Sequence, residues 1–347
     1  MTFLAILGVT LPLAAVIALG FLAVWRGWFP RAAIPGVGAF VRNFAIPAAI
    51  FAGLSVQDFG AVFHGGFVLA FTVASLLSFL LTYLLVRGPG GEGPTPAALL
   101  ALVGSMSNGI MIGMPLVTAL FGALALATIA QQLLVENLLI IPLALLLADL
   151  GRSRAQVGQA GAGQSVAVPG DAGTPVGSPA QRLLRVLAGV ARNPIVVATL
   201  LGLAFAGLPV AVPGPVERGV ALLAGSAGGL ALFFVGASLY GTDLSASLNR
   251  IAAAVTVKML FHPLIVLGVF WVVMLGWEAL GWLPANPVVV HACLIIACLP
   301  TGGMLPAIAA RYGQDQPVSL ALAVMTLISV GSAPLTVWLV LRFQPFG

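Results

Sequence analysis

The chain has 347 residues, 61% of them hydrophobic and only 7% charged, with a mean hydropathy of +1.14. That composition excludes an ordinary soluble domain and points to a polytopic helical membrane protein; the apolar runs are long and continuous, where a β-barrel would show short alternating segments. The net charge of +5 comes from basic residues spread among short loops, which reads as a bias toward one membrane face and not as a nucleic-acid footprint.

Ten spans are read in chain order. The first covers residues 3–24 and lacks a basic leader, so it is taken as a retained helix and not a signal peptide. The second, 37–54, carries Arg42, Asn43 and Pro47. The third, 63–86, has no acidic residue. The fourth, 95–121, contains Ser105-Met-Ser-Asn-Gly-Ile-Met-Ile-Gly-Met-Pro115. The fifth, 124–147, carries Glu136 flanked by Gln131, Gln132 and Asn137. Residues 151–181 are rich in Gly, Ser, Gln, Ala and Pro and read as a flexible linker. The sixth span, 187–206, opens on Arg192-Asn193-Pro194. The seventh, 220–240, holds the small pair Gly225 and Gly229, which suits close helix packing in the fold or between protomers. The eighth, 251–275, carries Lys258 one turn before His262-Pro263. The ninth covers 287–310 and the tenth 318–341. Cys293 and Cys298 share the ninth span and imply neither a disulfide framework nor a zinc site.

Basic residues orient the chain. With both termini outside, 12 of the 14 arginines and lysines fall on the inner side and only Arg218 and Arg342 on the outer. Trp25 and Trp28 then sit at the inner interface, Trp277 and Trp282 at the outer. Five spans per half place the second half upside down relative to the first. Met114-Pro-Leu-Val-Thr-Ala-Leu-Phe-Gly122 aligns without a gap on Leu305-Pro-Ala-Ile-Ala-Ala-Arg-Tyr-Gly313, and Pro142 answers Pro334. Arg42-Asn43 near the start of the second span is taken to answer Arg192-Asn193 near the start of the sixth. The expectation is a five-plus-five inverted repeat with spans four and nine broken and crossed.

The breaks carry the chemistry. Hydroxyls, an amide, glycines and a proline are tolerated at membrane depth only where protein or a water-filled cavity covers them. Half-helices starting near Met111 and Gly302 would aim unpaired N–H groups and a positive dipole end at mid-membrane. Ser107, Asn108 and Gly109 from the first break, with Pro300, Thr301, Gly302 and Gly303 from the second, are the candidate substrate contacts, and a carboxylate is the natural guest. Buried charges usually pair, so Glu136 and Lys258 are expected to form a buried pair or a proton-accepting site, with Gln132 beside them. Asn43, Arg42, Arg192 and Asn193 are candidates for the cytoplasmic mouth, where the arginines would meet a second carboxylate or act as positive-inside anchors. His64 and His291 read as interfacial histidines.

The sequence resembles the auxin efflux carrier family, in particular bacterial members described as malonate or organic-acid permeases. The matching stretches are Ala45-Ile-Pro-Ala-Ala-Ile-Phe51, Ser107-Asn-Gly-Ile-Met-Ile-Gly-Met-Pro115, Arg192-Asn-Pro194, Ala231-Leu-Phe-Phe-Val-Gly-Ala-Ser-Leu239, Lys258-Met-Leu-Phe-His-Pro263, Cys298-Leu-Pro-Thr-Gly-Gly303 and Arg311-Tyr-Gly313. The resemblance implies an all-α fold of ten transmembrane helices in two inverted five-helix repeats, like plant PIN auxin exporters and bile-acid symporters. It implies scaffold helices one and two in residues 1–60 and six and seven in 182–245. The transport helices would be three to five in 61–150 and eight to ten in 246–347, moving like an elevator. It places Asn108 and Pro300-Thr301-Gly302 at the crossover, makes Glu136 and Lys258 an ionic support site, and implies a homodimer through the scaffold. Plant members carry an acidic residue in span three, which this chain lacks.

The expected function is secondary transport of a small organic anion, malonate-like dicarboxylates first, across the inner cell membrane. The alternatives are a sodium-coupled symporter of the bile-acid type or a carrier of auxin-like aromatic acids. No cofactor, metal or nucleic-acid partner is expected. An enzyme is disfavoured: every aspartate lies in a loop or at a span end, and no G-x-S-x-G elbow, Walker A or dinucleotide fingerprint is present.

Overall fold

A computed structural model describes residues 3–56, 63–160, 193–208, 210–241, 248–279 and 286–344. All regular structure among these residues is helical. Among them, eight helices are long and apolar enough to cross a membrane. They are α1 (Ile6–Trp25), α2 (Arg31–Leu54), α3 (Gly65–Arg87), α4 (Pro94–Phe121), α5 (Ala123–Arg152), α7 (Gly214–Leu239), α8 (Leu248–Val273) and α11 (Asp315–Phe343). The shorter apolar helices α6 (Pro194–Gly207) and α9 (Pro287–Ala297) fall in the places read as spans six and nine, and the six-residue α10 (Leu305–Ala310) follows α9. Regular helix continues beyond α5 to Ala160, into the stretch read as linker; residues 161–181 lie outside the described residues.

Burial explains where polar side chains are tolerated. The most apolar window of α4 is 94% buried, against 24–44% for the other seven long helices. A break in α4 is therefore covered by protein, the condition for irregular backbone at membrane depth. Its first half packs between α3 and α5, and α3 packs on α8. Elsewhere α1 packs on α7 and α2 on α6 and α7. The α1–α7 contact is close because glycines face backbone: a Cβ at Gly20 would run into the Phe233 carbonyl, and one at Gly236 into that of Ile17. Gly225 and Gly229 do not play that part within the chain, since a Cβ at either meets nothing within 4 Å.

Hydrogen bonds tie five connections to one end of the molecule. Arg31, between α1 and α2, donates to the Tyr240 carbonyl just past α7. Arg250, at the start of α8, pairs with Glu92 between α3 and α4, at 2.5 and 3.0 Å, and also reaches Gln314 between α10 and α11. Arg152, at the end of α5, donates to the Arg311 carbonyl after α10. Every second connection thus lies at the basic end, as a chain that crosses back and forth requires.

Among the described residues four helices widen to a single π turn, and one sequence rule accounts for all of them. The turns are Val41–Ala45, Gly109–Gly113, Glu136–Ile140 and Val257–Phe261. Each ends two residues before a proline: Pro47, Pro115, Pro142 and Pro263. A proline has no N–H and its ring crowds the carbonyl one turn back. The residue before it, Ile46, Met114, Ile141 or His262, donates to a carbonyl five residues back instead of four. The converse fails, because Pro12 and Pro334 sit inside unbroken α-helix. The π turns hold Arg42-Asn43, Gly109, Glu136-Asn137 and Lys258, so prolines widen the helices where the polar residues stand.

This geometry corrects one sequence match. Arg42-Asn43 lies within a helix, at the π turn of α2, whereas Asn193 caps the N-terminus of α6 by accepting from Ile195 N–H at 3.0 Å. In a five-plus-five register span two answers span seven, so the two Arg-Asn pairs are not repeat partners. Arg192 lies outside the described residues.

Candidate functional site

Both breaks expected from the glycines and prolines are present, and they touch. In α4 the helix stops at Ser105 and resumes at Gly109. Between α9 and α10 it stops at Ala297 and resumes at Leu305, three residues later than expected. Asn108 N–H donates to the Pro300 carbonyl at 2.7 Å, which joins the two breaks backbone to backbone.

Asn108 is the N-cap of the second half of α4. Its Oδ1 accepts from Met111 N–H at 3.1 Å, and its carbonyl accepts from Gly113 N–H at 2.9 Å. Its Nδ2 is buried and has no hydrogen-bond partner among the described residues. The Thr301 hydroxyl, fully buried on the other break, also lacks one among those residues. Unpaired donors in such a place are costly, which makes them good pointers to a guest. Gly303 keeps the space beside them open: a Cβ there would lie 3.3 Å from Met111 Sδ and 3.8 Å from Asn108 Nδ2.

A second layer holds the first break in place. Lys258, with no solvent exposure, donates to Ser107 Oγ at 2.6 Å and to the Ala297 carbonyl at 2.8 Å, at the C-terminal end of α9. A cation there complements the negative helix end. Glu136 Oε1 accepts from Ser107 N–H at 3.3 Å and from Gln132 Nε2 at 2.9 Å. The acid and the amine expected to pair therefore converge on Ser107, one at its N–H and the other at its hydroxyl, and among the described residues they make no direct ion pair. Gln132 lies against the first break; a Cβ at Gly109 would come 3.0 Å from its Oε1, which explains a glycine at that position.

Two cavities open from the contact. A narrow recess of about 30 Å³ lies among Asn108, Glu136, Asn137, Gly302 and Arg42. A larger cavity of about 450 Å³ is bounded by Asn108, Met111, Gly303, Arg42, Phe234 and Ser319. Arg42 lines both. At the rim of the recess Asn193 Nδ2 donates to Asn137 Oδ1 at 3.0 Å, and Arg42 Nε donates to Asn43 Oδ1 at 3.3 Å.

Sequence reasoning passed over two groups. His262, fully buried, shares a 2.9 Å hydrogen bond between its Nδ1 and Ser78 Oγ on α3. Its spacing of four from Lys258, and the run Ser75, Ser78, Thr82 on one face of α3, were the available signals. Phe234 and Ser319 reach the cavity from helices that carry no break; Phe234 lies in the Ala231–Leu239 stretch that carries the resemblance, but nothing local in the sequence marks Ser319. His291 is buried in the first turns of α9, while the backbone N–H of His64 donates to Gln131 Oε1 at 2.9 Å. Among the described residues no cluster of three His, Cys, Asp or Glu could hold a metal ion.

A polytopic helical membrane protein with two touching helix breaks, spare buried donors and a cavity beside them has the form of a small-molecule carrier. The chain belongs to the membrane transport protein family, the auxin efflux carriers, whose model matches residues 5–339. It is similar to a protein of Rhizobium meliloti (strain 1021) named "Putative malonate transporter", at 24% identity over 328 residues, covering 94% of this chain and 93% of that one.

Proposed function

We propose that this chain is a secondary carrier of a small organic anion, with malonate-like dicarboxylates the foremost substrates. The observation that carries the reading is Asn108: at the contact between the breaks, capped on its oxygen side, with a buried Nδ2 unused beside the cavity. A carboxylate supplies the missing acceptor. Asn108 already engages the N–H groups of Met111, Ile112 and Gly113, which leaves those of Gly109 and Ile110 as the free donors of a helix N-terminus. Thr301 Oγ adds a donor from the opposite break.

The reading includes ten spans in two inverted repeats, with α9 and α10 together forming the ninth. The clustering of alternate connections at one end supports that topology, and so does the gapless match around Pro115 and Pro306. It also includes an elevator: α1, α2, α6 and α7 act as the scaffold, the site of homodimerisation, and α3–α5 with α8–α11 carry the anion. The breaks then travel with their guest past Arg42 and Phe234. The basic end faces the cytoplasm, and both termini lie outside an inner cell membrane.

Counterflow of radiolabelled malonate in proteoliposomes tests this reading. Purified protein should exchange malonate, and Asn108→Ala should lower exchange by about tenfold or more, the worth of a hydrogen bond to a charged group. Full exchange by the variant would move the site away from the first break.

A further inference from the structure

The carrier reading does not say why a diacid should be preferred to a monoacid; the wall of the cavity supplies a reason. Of the described residues that bound the 450 Å³ cavity, Arg42 is the one cation, and no Asp or Glu is among them. A guanidinium has five N–H donors in a rigid fork. One of them, Nε–H, donates to Asn43 Oδ1 at 3.3 Å, which orients the plane; no described residue accepts from the other four. Arg42 is half-buried, and one turn earlier Gly38 lies against the Phe234 ring, so that wall admits no larger side chain. A positive-inside anchor would send its charge to the membrane surface, whereas Arg42 also lines the narrow recess that holds Asn108 and Glu136.

We propose that Arg42 is a second anchor and sets substrate class: a short dianionic acid spans the cavity, one carboxylate on the Asn108 amide and the other on the Arg42 fork. A monoanion satisfies only one of the two. A dianion engages both, and a carboxylate matches the fork bidentately. This inference rests on the carrier reading, because it assigns one end of the substrate to Asn108.

Monomethyl malonate is the discriminating probe, since it masks one carboxylate while keeping the three-carbon backbone. In proteoliposomes, malonate should compete for labelled malonate exchange about tenfold or more better than the half-ester. Arg42→Gln should collapse that preference to within about twofold. Arg42→Lys, which keeps the charge but loses the fork, should retain only part of it, and it decides the matter if the glutamine variant does not survive purification. An undiminished preference in either variant, or wild-type protein that handles diacid and half-ester alike, overturns the assignment while leaving the carrier reading intact. Loss of exchange in Asn108→Ala alongside an unchanged preference in Arg42→Gln has the same meaning. Wild-type protein that exchanges no carboxylate sinks the carrier reading itself.

Discussion

Lys258 Nζ lies 2.6 Å from Ser107 Oγ, and through that contact the eighth helix holds the irregular backbone of the fourth. The same ammonium donates to the last carbonyl of α9, so one buried cation touches both broken segments. Replacing it with methionine leaves Ser107 Oγ and the Ala297 carbonyl without this donor, at a cost of about 1–3 kcal/mol each. It also removes the desolvation penalty of a buried charge, which offsets part of that loss. Lys258→Met should therefore melt only a few degrees below wild type in detergent while exchange falls about tenfold or more. Wild-type exchange by the variant would reduce Lys258 to a packing element.

Gly303 offers a sharper test of where the guest sits. A methyl group there enters the space beside Asn108 Nδ2 and Met111 Sδ without striking backbone. Gly303→Ala should leave thermal stability unchanged or slightly raised, because alanine narrows the unfolded ensemble. Exchange of malonate should fall severalfold. Gly225→Ala, where the added carbon meets nothing within 4 Å, serves as the matched control and should transport normally. Equal activity in the two variants would place the substrate elsewhere.

The prolines make a prediction about the π turns. Pro115→Ala restores an N–H at 115 and removes the ring that crowds the preceding turn. The segment from Gly109 to Phe121 should then tighten to an ordinary α ladder, turning Asn108 relative to Pro300. Thermal stability should rise by about 1 kcal/mol or less, and exchange should drop. Hydrogen exchange by mass spectrometry reads the change directly, as altered protection in the peptide covering 106–118. An unchanged protection pattern would show that packing, not proline, sets the π turn.

Much of this arrangement was legible in the sequence, and the failures have physical causes. Glycine, proline and asparagine inside an apolar run mark a break wherever they occur, so both breaks and Asn108 could be read locally. That Glu136 and Lys258 lie near one another could be read, but not the contact they share. Charge complementarity predicts attraction, but only the fold shows that both groups hydrogen-bond Ser107, the acid at its N–H and the amine at its hydroxyl. The Arg-Asn match between spans two and six misled because Asn43 sits in a π turn while Asn193 caps a helix N-terminus. Gly225 and Gly229 had the spacing of a packing pair, yet helix α1 meets α7 closely at Gly236 instead, one heptad beyond Gly229 on the same stripe. Spacing reports which residues share a face, not what lies opposite it. The His262–Ser78 contact was hidden for the same reason, since its halves lie 184 residues apart.

Glu136 supplies the last prediction, and it separates a structural acid from a working one. Its Oε1 accepts from both Ser107 N–H and Gln132 Nε2, at 3.3 and 2.9 Å. A glutamine is isosteric and can place its carbonyl oxygen where Oε1 stands, keeping both bonds without a charge. If the acid only braces Ser107, Glu136→Gln should behave as wild type at every pH. An acid that takes and gives a proton as the anion moves produces a different split. Counterflow, which needs no net proton movement, should then persist in Glu136→Gln, while malonate accumulation driven by an imposed pH gradient should fall to the level reached without one. The second outcome is expected, because Glu136 lines the recess that also holds Asn108, and a brace alone does not require an ionisable group at that depth. Gradient-driven uptake that matches wild type across about pH 6–8, one unit either side of neutrality, would assign Glu136 to structure.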